Sequence, residues 1–340
     1  MFDVPRTLSE IGVAHPVFRL LVNPLAVMFG GDVAVGWILC VAALLPVCAL
    51  LIYVIYRPSG GTFGLTDCLR FLFPARIYGS TSFRAEAFFF LIAANLSALY
   101  KPHLWPILAD SAHRFAAGVV HVLGAAAGTG PLLAPALHWH HHAAWSALFA
   151  VAMILGADLG TYATHVLQHR IPALWEFHKV HHSAAVLTPL TGFREHPLLI
   201  IVNVTSDAFV SALLYAGFGA VFGPFFTAQF SPAEGLAVYI LRNLLFLHGH
   251  LFVPVSYRYL NWLIVSPALH SIHHSNHPAH HNRNFSAIFP VWDFLFGTLH
   301  VPTRDELEQL SCGLLANEHQ EYSTALRLFF LPFKKIASSA

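Results

Sequence analysis

Histidines at helical spacing are the residues in this sequence that are best suited to chemistry. One stretch carries an HxxxH pair followed by an HxxHH group, and a distant stretch carries a second HxxHH group. Because spacings of three and four place side chains on one face of a helix, each group directs its rings one way. The members are His165, His169, His178, His181, His182, His270, His273 and His274.

Eight imidazoles that point in shared directions indicate a site with two metal ions. Neutral imidazole binds zinc, copper, iron and nickel. A structural zinc ion takes four ligands, usually including cysteine, and the four cysteines here form no CxxC motif. An all-imidazole shell is neutral, so a nearby carboxylate could offset part of the metal charge or orient a histidine. Asp158, Glu195 and Asp293 are the candidates.

The elements that carry these histidines have recognisable starts. Pro172 can begin a short helix that carries the first HxxHH group, and Ser266 with Pro267 reads as an N-cap and first helical position for the second group. Asp158 and Tyr162 precede His165 by seven and three residues, so they share its helical face. An ionisable residue inside an apolar span is a functional candidate.

Composition identifies the chain as a membrane protein. Of its 340 residues, 56% are hydrophobic and 10% are charged, against about 25% charged in a soluble domain. The net charge of +1 gives no indication of nucleic acid. We predict an all-α integral membrane protein with about four to six transmembrane or re-entrant helices. A helical cap on the cytosolic face would hold the dinuclear metal site.

The apolar segments also suggest which side of the membrane holds the site. Two crossings between the histidine groups return the chain to its starting side, and the loop between those crossings, 221–233, lacks Lys and Arg. The positive-inside rule then puts the site on the cytosolic face, because the histidine-bearing segments are basic. The expected spans are 33–56, 85–100 (spanning or re-entrant), 115–137, 143–164, 198–220 and 234–253.

Three regions follow from this topology. Residues 1–140 form an N-terminal membrane region of uncertain role, 141–302 the catalytic domain, and 303–340 a C-terminal interfacial helix and tail. A capping box at Thr303 and Glu306 is expected to open the terminal helix. The HWHHH run at 138–142 falls on the non-cytosolic side and is excluded from the site.

Further histidines near span ends on the predicted site side are candidate ligands. These are His196 in an RxHP motif, His248 in an LHGH motif and His281, which precedes Asn282 in the mouth of the site. Weaker candidates are His250, His277 and His280, and His300 is given no role.

The order of these motifs resembles the fatty acid hydroxylase/sterol desaturase superfamily. The resemblance covers about 150–300 and runs from Asp158-x3-Tyr162-x2-His165-x3-His169 through HKVHHS, RxHP, FLHGH, HSIHHS and HHNRNFS to PVWDFLFGT at 290–298. This sequence departs from the family at Leu199, His250 and Ser286, where the family often has Glu, Asn and Gly. These departures concern the shape of the pocket rather than the metal ligands.

The resemblance implies a function and its partners. The family binds two iron ions and uses O2 and two electrons to hydroxylate or desaturate a membrane lipid. Zinc in purified protein would be compatible with this, because zinc can replace iron in imidazole sites. The lipid could be a fatty acyl chain, a sterol-like molecule or a polar lipid. Electrons would come from a separate ferredoxin, cytochrome or reductase, because the sequence shows no GxGxxG motif after a strand. Trp175, Phe177 and Phe193 are candidate lining residues of the lipid slot.

Three other functions are open at the level of sequence. A histidine-rich membrane metal transporter would distribute ligands through its spans, whereas here they lie at span ends. A membrane zinc hydrolase would need a general-base carboxylate beside its ligands, as in HExxH, and the sequence has no such motif. A non-catalytic lipid-binding member of the same fold would not require intact ligand motifs.

Overall fold

The computed structural model describes residues 53–54, 64–127, 142–222, 249–315, 318 and 320–339. These residues are mainly helical, and their one strand-like feature is an isolated antiparallel bridge between Ser275 and Cys312. In chain order the α-helices are α1 (Leu65–Leu72), α2 (Ala75–Tyr78), α3 (Thr81–Ala127), α4 (His142–Arg170), α5 (Pro172–His182), α6 (Pro197–Phe222), α7 (Pro267–His273), α8 (Val291–Leu295), α9 (Arg304–Glu308) and α10 (Ala325–Ser339).

Within the described residues, two helices are long and apolar enough to cross a membrane. Ala147–Arg170 within α4 has 24 residues and Pro197–Val221 within α6 has 25, against the about 20 needed for ~30 Å of hydrocarbon. The sequence predicted spans at 143–164 and 198–220. The first helix continues past 164 to Arg170, so His165 and His169 lie in its last turns.

A third candidate span is a single bent helix, where the sequence predicted two separate elements. The sequence suggested separate elements at 85–100 and 115–137, but residues Thr81–Ala127 form α3 with Pro102 and Pro106 inside it. Its two halves, Thr81–Ser97 and Pro102–Val122, are bent by 66°. Proline removes one backbone donor and clashes with the preceding turn, so it bends this helix instead of ending it.

Some sequence predictions fall outside the described residues. These include the span at 33–56 apart from residues 53–54, most of the HWHHH run, nearly all of the 221–233 loop and most of the helix expected at 234–253. His248 also lies there.

Small residues bring α3, α4 and α6 close together. A Cβ atom on Gly156 of α4 would overlap the side chain of Leu214 of α6. Four buried alanines, Ala112, Ala116, Ala208 and Ala212, form the contact between α3 and α6. Small residues allow helix backbones to approach in lipid, where helix association depends on packing. This packing fixes the end of α4 relative to the start of α6.

The C-terminal helix α10 covers α5, which carries the first HxxHH group. Buried Leu328 of α10 packs with Val180 of α5 and Phe89 of α3. The capping box at Thr303 is confirmed, with both reciprocal hydrogen bonds present. It opens only the five-residue helix α9, however, and the terminal helix starts at Ala325 instead.

Candidate metal centre

Both short helices that carry an HxxHH group begin where the sequence predicts. Ile171 is extended, and Pro172 is the first residue of α5. The Ser266 hydroxyl accepts a hydrogen bond from the Leu269 N–H, and Pro267 is the first residue of α7. Proline fits the first turn because its missing N–H would have no partner within the helix. These two signals set the rotation of both histidine groups.

Five histidines from three helices form the first ligand cluster, cluster A. One ring nitrogen of each lies within 4.8 Å of those of the others. The closest measured pair joins Nε2 of His165 in α4 to Nε2 of His178 in α5, at 3.1 Å. The members of cluster A are His165, His169, His178, His182 and His273.

Four histidines form the second ligand cluster, cluster B. His270 Nε2 lies 2.8 Å from His250 Nε2 and 3.1 Å from His274 Nε2, and His250 Nε2 lies 3.4 Å from His181 Nε2. Ligands about 2.1 Å from a tetrahedral metal ion are about 3.4 Å apart. The measured separations are close to that value, and the members are His181, His250, His270 and His274.

Each HxxHH group contributes to both clusters. In α5, His178 and His182 belong to cluster A while His181 belongs to cluster B. In the second group, where α7 ends at His273 and His274 caps it, the assignment is reversed: His270 and His274 belong to cluster B and His273 to cluster A. The first and last histidines of each group are four residues apart and lie nearly above one another on the helix. The histidine between them, three residues after the first, is rotated to the other side of that line. The His182 and His274 rings stack with centroids 4.5 Å apart, so the clusters adjoin.

Backbone carbonyls orient three of these rings. Nδ1–H of His165 donates to Phe285 O at 2.7 Å and Nδ1–H of His273 donates to Arg283 O at 2.8 Å. His181 donates in the same way to Thr191 O at 3.1 Å. A proton held on Nδ1 leaves the Nε2 lone pair free for a metal ion.

The chemistry of the site fits bound metal ions. Burial lowers the pKa of His178, His182 and His274 well below the ordinary histidine value, so the rings are neutral and can act as ligands. The buried Nε2 atoms of His169, His182 and His273 have no hydrogen-bond partner within the described ranges. A buried polar atom left without a partner costs about 1–3 kcal/mol, which metal coordination would relieve.

Asp293 acts on the site through a loop. Its Oδ1 accepts hydrogen bonds from Phe285 N–H at 2.8 Å and from the Thr298 hydroxyl at 2.6 Å, and its Oδ2 accepts from Ser286 N–H at 2.9 Å. Tyr162 hydrogen-bonds to the same Thr298 hydroxyl at 3.0 Å. Asp293 therefore fixes the peptide whose carbonyl orients His165.

Asp158 holds the next turn of the same loop. Its two carboxylate oxygens accept from the N–H groups of Ile288 and Phe289, each at 2.9 Å. The side chain is buried in α4 at 1% exposure, so the contact ties the loop to the candidate span. The structure thus gives both carboxylates backbone partners.

Several predicted site residues lie outside both clusters. His196 donates from Nε2 to Phe329 O at 3.1 Å and accepts at Nδ1 from Leu198 N–H at 3.3 Å, so backbone groups occupy both ring nitrogens. Glu195 accepts from Asn203 of α6, whose amide oxygen accepts from Gln168 of α4. His281 and Asn282 are exposed, and Asn282 has a positive φ of 60° in a turn.

Sequence reasoning undervalues His250, which the structure places in cluster B. The sequence makes it only a weaker candidate, and the family often has Asn at this position. The structure buries it completely between His181 and His270. The two HxxHH groups supply only three rings to cluster B, namely His181, His270 and His274. The missing fourth ligand of a tetrahedral ion is the signal that points to a further histidine such as His250.

Aromatic side chains enclose cluster A. Phe285 contacts the rings of His165, His169 and His273, with centroids 5.0–5.6 Å apart, and its sequence position gave no indication of this role. Trp175 lies 4.9 Å from His169, between ring centroids. The other two predicted lining residues lie elsewhere, since Phe177 packs on His196 and Phe333, and Phe193 packs on Phe90.

Comparison with known proteins identifies relatives over the part of the chain that carries the clusters. The family model for fatty acid hydroxylases matches residues 149–298. The chain is 28% identical over 199 residues to an ornithine lipid hydroxylase, OlsE, of Rhizobium tropici, which covers 56% of each protein. It is 28% identical over 179 residues to the alkylglycerol monooxygenase of Homo sapiens, covering 52% of this chain and 34% of that protein.

A plant protein shows the same likeness. The chain is 30% identical over 156 residues to a very-long-chain aldehyde decarbonylase, GL1-1, of Oryza sativa, covering 45% of this chain and 24% of that protein. The chain thus spans between about a quarter and just over half of the length of these relatives. No solved structure matches it.

Proposed function

The chain belongs to the fatty acid hydroxylase/sterol desaturase superfamily, and from this premise we propose that it is an O2-dependent di-iron membrane oxygenase acting on a lipid. It would hydroxylate or desaturate an unactivated C–H bond. The observation that carries the proposal is the pair of adjoining clusters, with five and four imidazoles. The relatives are named for an ornithine lipid, an alkylglycerol and a very-long-chain aldehyde, which favours a substrate with a long alkyl chain.

Cluster A and cluster B would each hold one iron ion. When bound, the iron supplies the O2 chemistry that no protein side chain provides. Zinc in a purified sample would be compatible with this assignment, because imidazole binds both metals. The chain orients the ligand nitrogens through the carbonyls of Thr191, Arg283 and Phe285.

Apolar side chains would protect the reacting region from water. Phe285 and Trp175 lie against the rings of cluster A, and the cluster histidines other than His169 are themselves buried. Excluding water prevents side reactions and strengthens electrostatic interactions within the site. We propose that the alkyl chain enters beside these two aromatic residues.

The contacts of the carboxylates support an oxygenase rather than a hydrolase. A zinc hydrolase uses a carboxylate beside its ligands as general base. Here Asp158 and Asp293 accept hydrogen bonds from backbone N–H groups of one loop. Both carboxylates therefore hold that loop in place, which is a different role from that of a general base.

The gathering of ligands at one end of α4 supports an enzyme rather than a metal transporter. A transporter relay would place its ligands along the spans, whereas His165 and His169 occupy only the last turns of α4, and the other cluster members lie on α5, α7 and the segment at 250. The completeness of both clusters argues against a non-catalytic lipid-binding protein.

We further propose a multi-pass protein with the site on the cytosolic face. The basic residues of the histidine-bearing segments support this orientation. Arg194 is almost completely buried, so the exposed positive charge comes from others, such as Arg170, Arg258 and Arg304. A ferredoxin, cytochrome or reductase could dock on this basic surface and deliver electrons.

Lipid mass spectrometry of cells with and without the gene tests the proposal. We expect one lipid class to shift by one oxygen or two hydrogens, and the shift to disappear when His178, His181, His273 or His274 is replaced by alanine. His281→Ala is the matched control, because His281 is exposed and outside both clusters.

Two results would contradict the proposal. One is retained activity in any two of the cluster variants. The other is the absence of any oxidised lipid when reduced, iron-loaded protein is supplied with O2 and an electron donor. Alanine at His140 to His142 should be nearly neutral, and a loss of activity there would refute the proposed topology.

A further inference from the structure

A third group of metal-binding side chains lies in the segment that follows α7. His280, His300 and Glu306 each offer one ligand atom, and these atoms lie within 4.8 Å of one another. Glu306 Oε1 is 2.9 Å from His300 Nε2 and 3.4 Å from His280 Nε2. These residues are absent from clusters A and B, and the proposed oxygenase reaction does not use them.

The spacing of these atoms fits a zinc ion. Zinc binds histidine nitrogen at about 2.0–2.1 Å and carboxylate oxygen at about 2.0–2.2 Å, so ligands of a tetrahedral ion lie about 3.3 Å apart. The separations of 2.9 Å and 3.4 Å lie on either side of this value. Two histidines with one glutamate are a known zinc ligand set that leaves a fourth position for water.

Hydrogen bonds to the atoms that face away from the group hold two of these side chains in place. The second ring nitrogen of His280, Nδ1, is 2.9 Å from the Ser275 hydroxyl. The second carboxylate oxygen of Glu306 accepts from Thr303 N–H at 2.7 Å and from the Thr303 hydroxyl at 2.9 Å. Those hydrogen bonds lower the pKa of Glu306 to about 2, so it is ionised at neutral pH. Such supporting contacts are typical of metal ligands.

The backbone of His300 is fixed as well. Its N–H donates to Asn284 Oδ1 at 2.7 Å, and Asn284 Nδ2 donates back to His300 O at 2.8 Å. Asn284 directly follows Arg283, whose carbonyl orients His273 of cluster A. The third group is therefore connected to cluster A through two consecutive residues.

The surrounding segment has little apolar core of its own. Between residues 274 and 315 the structure has only helices of three to five residues, and the buried side chains include the polar groups of Ser275, Asn284, Ser286 and Thr298. Small regions with a weak hydrophobic core are often stabilised by a structural metal ion. A cross-link between residues 280 and 306 would join the two ends of this segment.

We propose that His280, His300 and Glu306 bind a third metal ion, Zn²⁺, which fastens the segment that orients His273. This site is separate from the clusters of the proposed oxygenase, and a water molecule would complete its four ligands. Its presence can be tested by metal content, independently of any catalytic activity.

The test uses full-length protein in detergent, saturated with Zn²⁺ and then freed of unbound metal by gel filtration. Mass spectrometry of the metals should give three ions per chain, one for each group. Glu306→Gln and His300→Asn should each lower the content by one ion. Glu308→Gln is the matched control on the same helix, because Glu308 is exposed and pairs only with Arg304 among the described residues.

Each other result would overturn the proposal. Saturated wild-type protein that holds only two ions would show that His280, His300 and Glu306 form a hydrogen-bonded group without metal. Equal metal content in the wild type and both variants would show the same. A loss of more than one ion in both variants would refute a site separate from clusters A and B.

Discussion

Asp293→Asn tests whether the loop at 285–298 positions the metal centre. The wild-type carboxylate accepts three hydrogen bonds, from Phe285 N–H, Ser286 N–H and the Thr298 hydroxyl. Asparagine keeps one oxygen, which can still serve Phe285 and Thr298. Its NH2 group would then face the Ser286 N–H, so one hydrogen bond is lost and two donors oppose each other.

The size of the effect follows from that single lost contact. A hydrogen bond to a charged group contributes about 1.5–3 kcal/mol. If the loop transmits this cost to the Phe285 carbonyl that orients His165, metal affinity should fall about 10- to 100-fold, since 1.4 kcal/mol corresponds to a factor of ten. Activity at limiting iron should fall by a similar factor and recover in excess iron.

Competition with a chelator of known affinity measures the change. Wild type, Asp293→Asn and the control Asp305→Asn are compared, because Asp305 is an exposed carboxylate in the first turn of α9. The control should bind metal as the wild type does. Wild-type affinity in Asp293→Asn would refute the idea that this carboxylate acts through Phe285 and His165.

Three further substitutions separate ligands from supporting residues. His250→Ala removes one of the four rings of cluster B and should lower metal content by one ion and abolish lipid oxidation; retained metal and activity would contradict the cluster. His196→Ala should keep the wild-type metal content but lose about 1–3 kcal/mol of stability in thermal unfolding, because the hydrogen bond to Phe329 O is lost. Loss of one metal ion would show instead that His196 is a ligand. Phe177→Ala should lower the free energy of unfolding by about 3–5 kcal/mol, because the packing against Phe333 is lost. A variant with wild-type stability and a changed lipid preference would show instead that Phe177 lines the lipid site.

The parts of the fold that depend on local signals could be predicted from the sequence. Pro172 and the Ser266–Pro267 pair fix where α5 and α7 begin, because a cap and a proline act on their own turn. Helical spacing then brings the rings of each group to one side. The histidines of the three motifs are accordingly found together in the structure.

Features that depend on tertiary contacts could not be predicted. Pro102 and Pro106 bend α3 where the sequence suggested two elements, since neighbouring helices decide whether a proline bends or ends a helix. His196 resembled a ligand until α10 supplied the Phe329 carbonyl as its partner, from a residue 133 positions away. The ring of Phe285 reaches cluster A only because Asp158 and Asp293 fold its loop back.

The division of each HxxHH group between clusters A and B has a consequence for metal loading. Because α5 and α7 each supply rings to both clusters, an ion in one cluster orders the helices that the other ion needs. The second ion then binds with less ordering cost, so the two affinities are linked and binding is cooperative. We expect empty and doubly loaded chains to predominate during titration, with few singly loaded chains between them.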